Sequence, residues 1–282
     1  MRLGDLEFYI LNDGTFRLDG GAMFGVIPRP MWERVAPPDE RNRITLAMNS
    51  LLIRAAGEWI LVETGAGDKW DAKRRDIYMF EGRRLPDQLG DRGVRPEQIN
   101  VVVNTHLHFD HCGWNTSVVD GKVVPTFPNA RYICQRGEFE HARNPTERDR
   151  ASYFPENFEP MHASGQWDLI DDDREIAPGV ELIRAPGHTK EMMIVRLSGG
   201  GQTAIFLADL VPTTAHLPYP WVMGFDLYPL TTLENKKKWL PEIARNGWLA
   251  LFGHDEKVRA ARLVQLGSEH GGKISAEPVT VE

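Results

Sequence analysis

From Thr105 to Gly113 the chain reads Thr-His-Leu-His-Phe-Asp-His-Cys-Gly, so His106, His108, Asp110 and His111 place four metal-capable side chains within six positions. The stretch from Ile99 to Val103, apolar but for Asn100, precedes them and predicts a buried strand. The ligand-type residues then fall at the strand's carboxyl end and in the loop beyond it, where open α/β sheets place their sites. His106 and His108 are two apart, so an extended backbone turns both rings to one side. Asp110 and His111 follow on a tighter bend and can face a second position. One cluster can therefore serve two cations, and imidazole with carboxylate suits zinc, iron, manganese or cobalt.

Three more ligand-type residues close apolar segments. His188 follows the turn residues Pro186-Gly187, which can aim a ring inward from a strand end. Asp209 closes Ala204 to Ala208, where a carboxylate carries a desolvation cost unless something positive meets it. His254 closes the run from Trp248 to Gly253. The histidines at 141, 162, 216 and 270 read by default as ordinary surface or core residues.

Together these motifs resemble the metallo-β-lactamase-fold hydrolases, whose signature is H-x-H-x-D-H. Leu61-Val62-Glu63-Thr64-Gly65 resembles the strand and turn that precede the signature, and Ala185-Pro186-Gly187-His188-Thr189 the family's second metal motif. Ile205 to Asp209 resembles the strand that delivers a bridging aspartate, and Leu251 to His254 the strand that ends in the last ligand. The order matches from about Ile44 to His254. The likeness points to the branch containing N-acyl-homoserine-lactone lactonases and 4-pyridoxolactonase, whose signature also reads H-x-H-F-D-H.

The resemblance implies an α+β fold, a four-layer αββα sandwich of two mixed β-sheets covered by helices, over residues 1–266. It implies two divalent ions, zinc first, with iron, manganese or cobalt as alternatives. His106, His108 and His188 would hold one, Asp110, His111 and His254 the other, and Asp209 would bridge them. Two ions about 3.5–4 Å apart share a water and lower its pKa toward neutrality. The bridging hydroxide would then open a lactone or cleave a small ester-type substrate, with Asp110 or Asp209 carrying a proton to the leaving group. Other readings on the same fold are an iron-dependent oxidoreductase like the persulfide dioxygenases, an organophosphate or thioester hydrolase, and a metal-binding protein without catalysis. The complete ligand set argues against the last.

Homoserine-lactone lactonases carry a tyrosine three residues after the bridging aspartate; here that position is Pro212, and His216, Tyr219 and Tyr228 are the nearby donors. Phe24, His216 and Trp221 are the candidate substrate-binding residues, with Met23 and Met223 as further apolar walls.

The surrounding elements must position these groups. Leu6 to Asn12 predicts a strand ended by an Asp13-Gly14 turn, and Asp19 to Pro28 a glycine-rich loop. Arg43 to Arg54 and Trp59 to Glu63 predict a hairpin around Ala56-Gly57-Glu58. Asp68 to Gly93 reads as partly helical; Ala130 to Cys134 as a strand that leads into a helix from Arg136. Asn144 to Trp167 lacks periodicity and reads as a long loop or broken helices bordering the site. Asp168 to Ala185 and Met192 to Leu197 predict strands of the second sheet. Thr231-x-x-Glu234 predicts a capping box opening a helix with Leu233, Leu240 and Ile243 on one face and a kink at Pro241. Lys236-Lys237-Lys238 reads as the solvated face of that helix, and 267–282 as a loosely held tail.

A formal net charge of −7 and no basic stripe disfavour nucleic acid as a partner. The expected partners are a small-molecule substrate and, at most, a second copy of the chain in a homodimer. Met1 to Asp5 lacks the apolar core of a leader, no apolar stretch approaches the ~20 residues a membrane helix needs, and two cysteines make no disulfide framework. A cytoplasmic location follows as the expectation.

Overall fold

The computed structural model describes residues 1–267 and 273–281. Two seven-stranded mixed sheets face one another, and helices cover their outer faces in a four-layer αββα sandwich. The first sheet holds β1 (Arg2–Leu3), β2 (Leu6–Asp19), β3 (Arg43–Ala55), β4 (Glu58–Val62) and β5 (Val101–Val103). A separate hairpin, β6 (Thr116–Val119) and β7 (Lys122–Pro125), precedes its last strands, β8 (Arg131–Gln135) and β9 (Trp167–Ile170). Strands β4, β5, β8 and β9 run parallel. The second sheet runs β10 (Arg174–Ala177), β11 (Val180–Arg184), β12 (Met193–Gly199), β13 (Gln202–Phe206), β14 (Leu249–Leu251), β15 (Ala260–Leu266) and β16 (Lys273–Pro278). Its β13–β14 pair is parallel, with a long helix in the crossover. The helices are α1 (Gly20–Phe24), α2 (Arg29–Trp32), α3 (Ala72–Tyr78), α4 (Leu85–Asp91), α5 (Phe109–Cys112), α6 (Arg136–Arg143), α7 (Glu159–Ala163) and α8 (Pro229–Asn246). None of the described helices is long and apolar enough to cross a membrane.

Strand alternation explains the layers. Leu51, Ile53, Ile60, Val62, Val101 and Val103 enter the core between the sheets, while Leu52, Leu61 and Val102 meet α4 and α6 on the outer face. A strand buried on both faces needs apolar residues at every position, which is why β5 reads Val-Val-Val. Asn100, just outside it, accepts the Trp59 N–H through its side chain at 2.9 Å.

Several local expectations are corrected. The Asp13-Gly14 pair bulges without turning: β2 continues to Asp19, and one extra residue is absorbed between Asn12 and Thr15. Gly14 sits at φ 87°, where a Cβ would meet the Glu81 carbonyl. Asp19 accepts from the Ala22 N–H and caps α1 where a loop was expected. Residues 167–170 join the first sheet, because β9 pairs with β8 in parallel. Helix α8 begins at Pro229 in its N1 position, two residues before the expected capping box, and runs unbroken through Pro241 to a left-handed Gly247. Burial of Trp239, Leu240 and Ile243, each worth about 1.5–3 kcal/mol, outweighs the ~3 kcal/mol cost of that proline. Lys236 faces inward, fully buried. The tail expectation fails for residues 273–278: β16 pairs along β15 and Ile274 is buried, since ladder hydrogen bonds need few apolar residues. His270 lies outside the described residues.

Candidate metal centre

Four connections, at the carboxyl ends of β5, β11, β13 and β14, converge on one point. His106 follows β5, His108 caps α5, and Asp110 and His111 lie within that single turn. His188 stands after β11, Asp209 after β13 and His254 after β14. Asp209 and His254 meet because β13 and β14 are parallel neighbours ending on one edge of the second sheet; β11, separated from β13 by the antiparallel β12, ends on that edge too, and β5 brings its loop from the first sheet. Two of the delivering positions are strained: Glu63 at φ 64° and Ala208 at φ 45° are non-glycine residues in the left-handed region. Gly113 permits the close approach of the α5 turn to the loop after β4, since a Cβ there would lie 2.0 Å from the Ala66 carbonyl carbon.

The donors form overlapping sets, His106–His108–His188, His106–His111–Asp209 and Asp110–His111–His254, with ligand atoms within 4.8 Å of one another in each. Asp209 spans them. Its Oδ1 lies 3.0 Å from His254 Nε2 and 3.5 Å from His111 Nε2, and its Oδ2 lies 3.3 Å from His188 Nε2. Imidazole nitrogens crowd one another, His188 Nε2 to His108 Nδ1 at 3.0 Å and His254 Nε2 to His111 Nε2 at 3.1 Å. The buried Nε2 atoms of His106 and His108 have no hydrogen-bond partner. His108 meets the cluster through Nδ1, so the orphaned Nε2 of His106 is the nitrogen left facing the other donors; it is costly unless something fills that space, and a cation would satisfy it together with the nearby carboxylates.

The rear of four of the five rings is held. Ala47 O lies 2.7 Å from His254 Nδ1, Asp226 Oδ1 2.9 Å from His188 Nδ1, Glu63 Oε2 3.2 Å from His111 Nδ1, and Thr105 Oγ1 3.1 Å from His106 Nδ1. Acceptors behind Nδ1 leave Nε2 as the ligating lone pair on His188, His254 and His111. Glu63 also accepts the Thr105 N–H at 2.8 Å, so one carboxylate joins the β4 and β5 ends. Glu138 ties the two histidine loops: it accepts from Leu107 N and Tyr153 through Oε1 and from Thr189 Oγ1 through Oε2. Asp226 and Glu138 carried no sequence signal, because their partners lie 38 and 15–51 residues away.

Electrostatics divide the rings in two groups. Burial and the neighbouring imidazoles hold His106 and His108 well below the usual histidine range, so they are neutral. Burial also opposes charge on His111, His188 and His254, yet Asp110, Asp209, Glu63 and Asp226 outweigh it; His111 rises to about 10. Burial opposes charge on Asp209 as well, but His254, His111 and His188 hold its carboxyl well below the usual range. The field thus favours positive charge at this point, supplied by protons or by cations that displace them.

A cavity of about 250 Å³ opens over His108, Asp110, His188, Asp209 and His254. Its walls are apolar, with Phe16, Leu46, Met23, Met223 and Phe225 among them, and Tyr78, Arg148 and Ser152 add polar groups. Arg148 and Ser152 come from the 144–167 segment, which borders the cleft as short turns. Phe24, His216 and Trp221 stand behind this wall and do not line the cavity. The His216 ring stacks on Phe24 at 4.7 Å, Trp221 packs edge-on against Phe24, and His216 uses both nitrogens, on Thr213 Oγ1 and Met23 O. The same cluster explains why Met23 and Met223 reach the cleft in their place.

The sequence matches the family model described as the metallo-beta-lactamase superfamily over residues 45–263. It is 26% identical to the N-acyl homoserine lactonase AiiB of Agrobacterium fabrum over 275 residues, covering 90% of this chain and 95% of that one. An N-acyl homoserine lactonase of Bacillus sp is 28% identical over 189 residues, 66% of this chain and 68% of that protein. Among solved structures, a protein from Staphylococcus aureus described as a "probable metal-dependent hydrolase" superposes with a TM-score of 0.89 at 28% identity, covering both chains fully. The dizinc quorum-quenching lactonase AidC shares the fold with a TM-score of 0.78 at 21% identity, over all of this chain and 97% of that one.

Proposed function

The chain belongs to the metallo-beta-lactamase superfamily, and on that premise we propose that it is a metal-dependent hydrolase that opens a lactone or cleaves a related small ester. The observation that carries this reading is Asp209, one oxygen toward His111 and His254 and the other toward His188, beside a His106 whose buried Nε2 has no hydrogen-bond partner. The donor set fits two divalent ions. His106, His108 and His188 would hold one, and Asp110, His111 and His254 the other, with Asp209 shared. Nitrogen and carboxylate donors without cysteine suit zinc, and equally iron, manganese or cobalt.

Bound there, such cations supply Lewis acidity, polarising a carbonyl oxygen and making a water nucleophilic near neutral pH. The protein contributes position and proton handling. Ala47, Glu63, Thr105 and Asp226 fix the rings so that their lone pairs converge. Asp209 has both oxygens engaged, whereas Asp110 meets His111 and His254 through Oδ2 alone, each at 3.7 Å. Asp110, which also lines the cleft, would take a proton and pass it to the departing alkoxide. The apolar walls exclude bulk water and accept an acyl or alkyl group.

The lactone assignment is supported by the named relatives, N-acyl homoserine lactonases that align over most of this chain. Elemental analysis of protein purified without added metal, followed by a panel of lactones, aryl esters, thioesters and phosphotriesters, tests it. Two zinc ions with turnover confined to lactones and esters is the expected result. A single iron with no hydrolysis of any member would overturn it in favour of oxidative chemistry.

A further inference from the structure

We infer that Arg148 is a specificity-determining residue that selects substrates bearing a carboxylate remote from the bond to be cleaved. The inference rests on the hydrolase reading of the cleft and adds the class of substrate it takes.

Arg148 is the only lysine or arginine among the residues lining the cavity over the metal-ligand cluster. One guanidinium N–H donates from Nη2 to the Gly224 carbonyl at 2.7 Å, which ties the 144–167 segment to the opposite wall of the cleft. Gly224 is itself fixed by its N–H to the Ala22 carbonyl at 2.8 Å, so the anchor point is not a free loop tip. Arg148 has no ion pair with any described carboxylate. Its neighbour Asp149 cannot serve, because Oδ2 meets His141 Nε2 and Oδ1 accepts from Thr146 Oγ1. The other acids of the cavity, Asp110 and Asp209, face the histidines.

A guanidinium keeps its charge at any working pH and offers five N–H donors, of which one is spent here. Its planar fork, exposed in a cavity that Met223, Phe225 and Leu227 also line, matches a carboxylate with two parallel hydrogen bonds. The cavity is small enough that one molecule reaches both the histidine cluster and Arg148. A neutral acyl chain would leave the guanidinium to water; a chain ending in a carboxylate would fill the fork.

The test compares two γ-lactones whose side chains are of equal length, one ending in a carboxylate and the other in its methyl ester. With zinc-loaded parent protein, kcat/KM is expected to favour the carboxylate by roughly tenfold or more, through KM rather than kcat. Arg148→Gln should lower kcat/KM on the carboxylate several-fold more than on the methyl ester and so abolish that preference, and Arg148→Lys should restore part of it. Equal losses on both substrates, or no loss on either, would overturn the inference. Calorimetric titration with adipic acid monoamide against hexanamide gives a readout independent of turnover: the parent should prefer the acid, and Arg148→Gln should not. If neither lactone is hydrolysed but this binding preference stands, the hydrolase reading fails and the Arg148 site survives; if the preference is absent or persists in Arg148→Gln, the Arg148 site fails.

Discussion

Asp209 touches more of the centre than any other side chain, lying within 3.5 Å of three imidazoles. Asp209→Asn removes a negative charge from a place that must offset two divalent cations, and an amide is a weaker ligand. Metal occupancy and hydrolysis should both fall while far-ultraviolet circular dichroism stays unchanged; full occupancy with undiminished turnover would reduce Asp209 to a structural turn residue. His106→Ala and His111→Ala should each cost nearly all activity, since each histidine belongs to two of the donor sets. Behind the ligands, Asp226 orients His188 from the loop before α8. Asp226→Asn should weaken metal retention by about 10–100-fold in a chelator competition, with the fold intact.

At the scale of elements, α8 acts as a clamp. Lys236, inside the run of three lysines, turns inward and donates to the carbonyls of His216 at 2.6 Å, Pro218 at 2.8 Å, Tyr219 at 3.3 Å and Trp221 at 2.9 Å. Burial pushes its ammonium down to about 7. These carbonyls belong to the loop that leads into Met223, Gly224 and Phe225 of the cleft wall. Lys236→Met should leave them without a donor, at about 1 kcal/mol for each hydrogen bond lost. The expected outcome is a melting temperature lower by several degrees together with a raised KM, because the loosened loop is part of the substrate cavity. Loss of stability with unchanged KM would mean that the clamp supports the core alone.

For the whole molecule, acid should act through His216, which is not one of the ligand-type residues. Burial holds His216 down at about 4, against an ordinary value of 6.5. A depressed folded-state value means that this stabilisation is complete above pH 6.5 and is lost as the pH falls through 4, because the unfolded chain takes up the proton first. The shift corresponds to about 3 kcal/mol. Urea unfolding of chelator-treated protein at pH 7, 5.5 and 4 should show the parent losing that much more than His216→Gln. Parallel curves for the two proteins would show that His216 does not govern acid stability.

Much of the centre was legible in the chain because its chemistry is local in type. Four ligand-type side chains in one short segment, with three others each closing an apolar run, need no tertiary information to be noticed. Strand periodicity likewise revealed the hairpin of β3 and β4 and the buried β5, since alternation and apolar runs are properties of neighbouring residues. What lay beyond reach depends on contacts between distant segments. Nothing near Lys236 in sequence distinguishes it from Lys237 and Lys238; the carbonyls that bury it come from 15–20 residues earlier. Phe24, His216 and Trp221 suggested a pocket by composition, but they stack on one another behind the cleft wall. Arg148, from a segment without periodicity, and Tyr78, from the end of α3, line the cleft instead. The sequence by itself determined which residues could do chemistry, through side-chain type and spacing. Only the tertiary structure decided which of them share one cavity, because that depends on where strands from both sheets end and which faces their loops present.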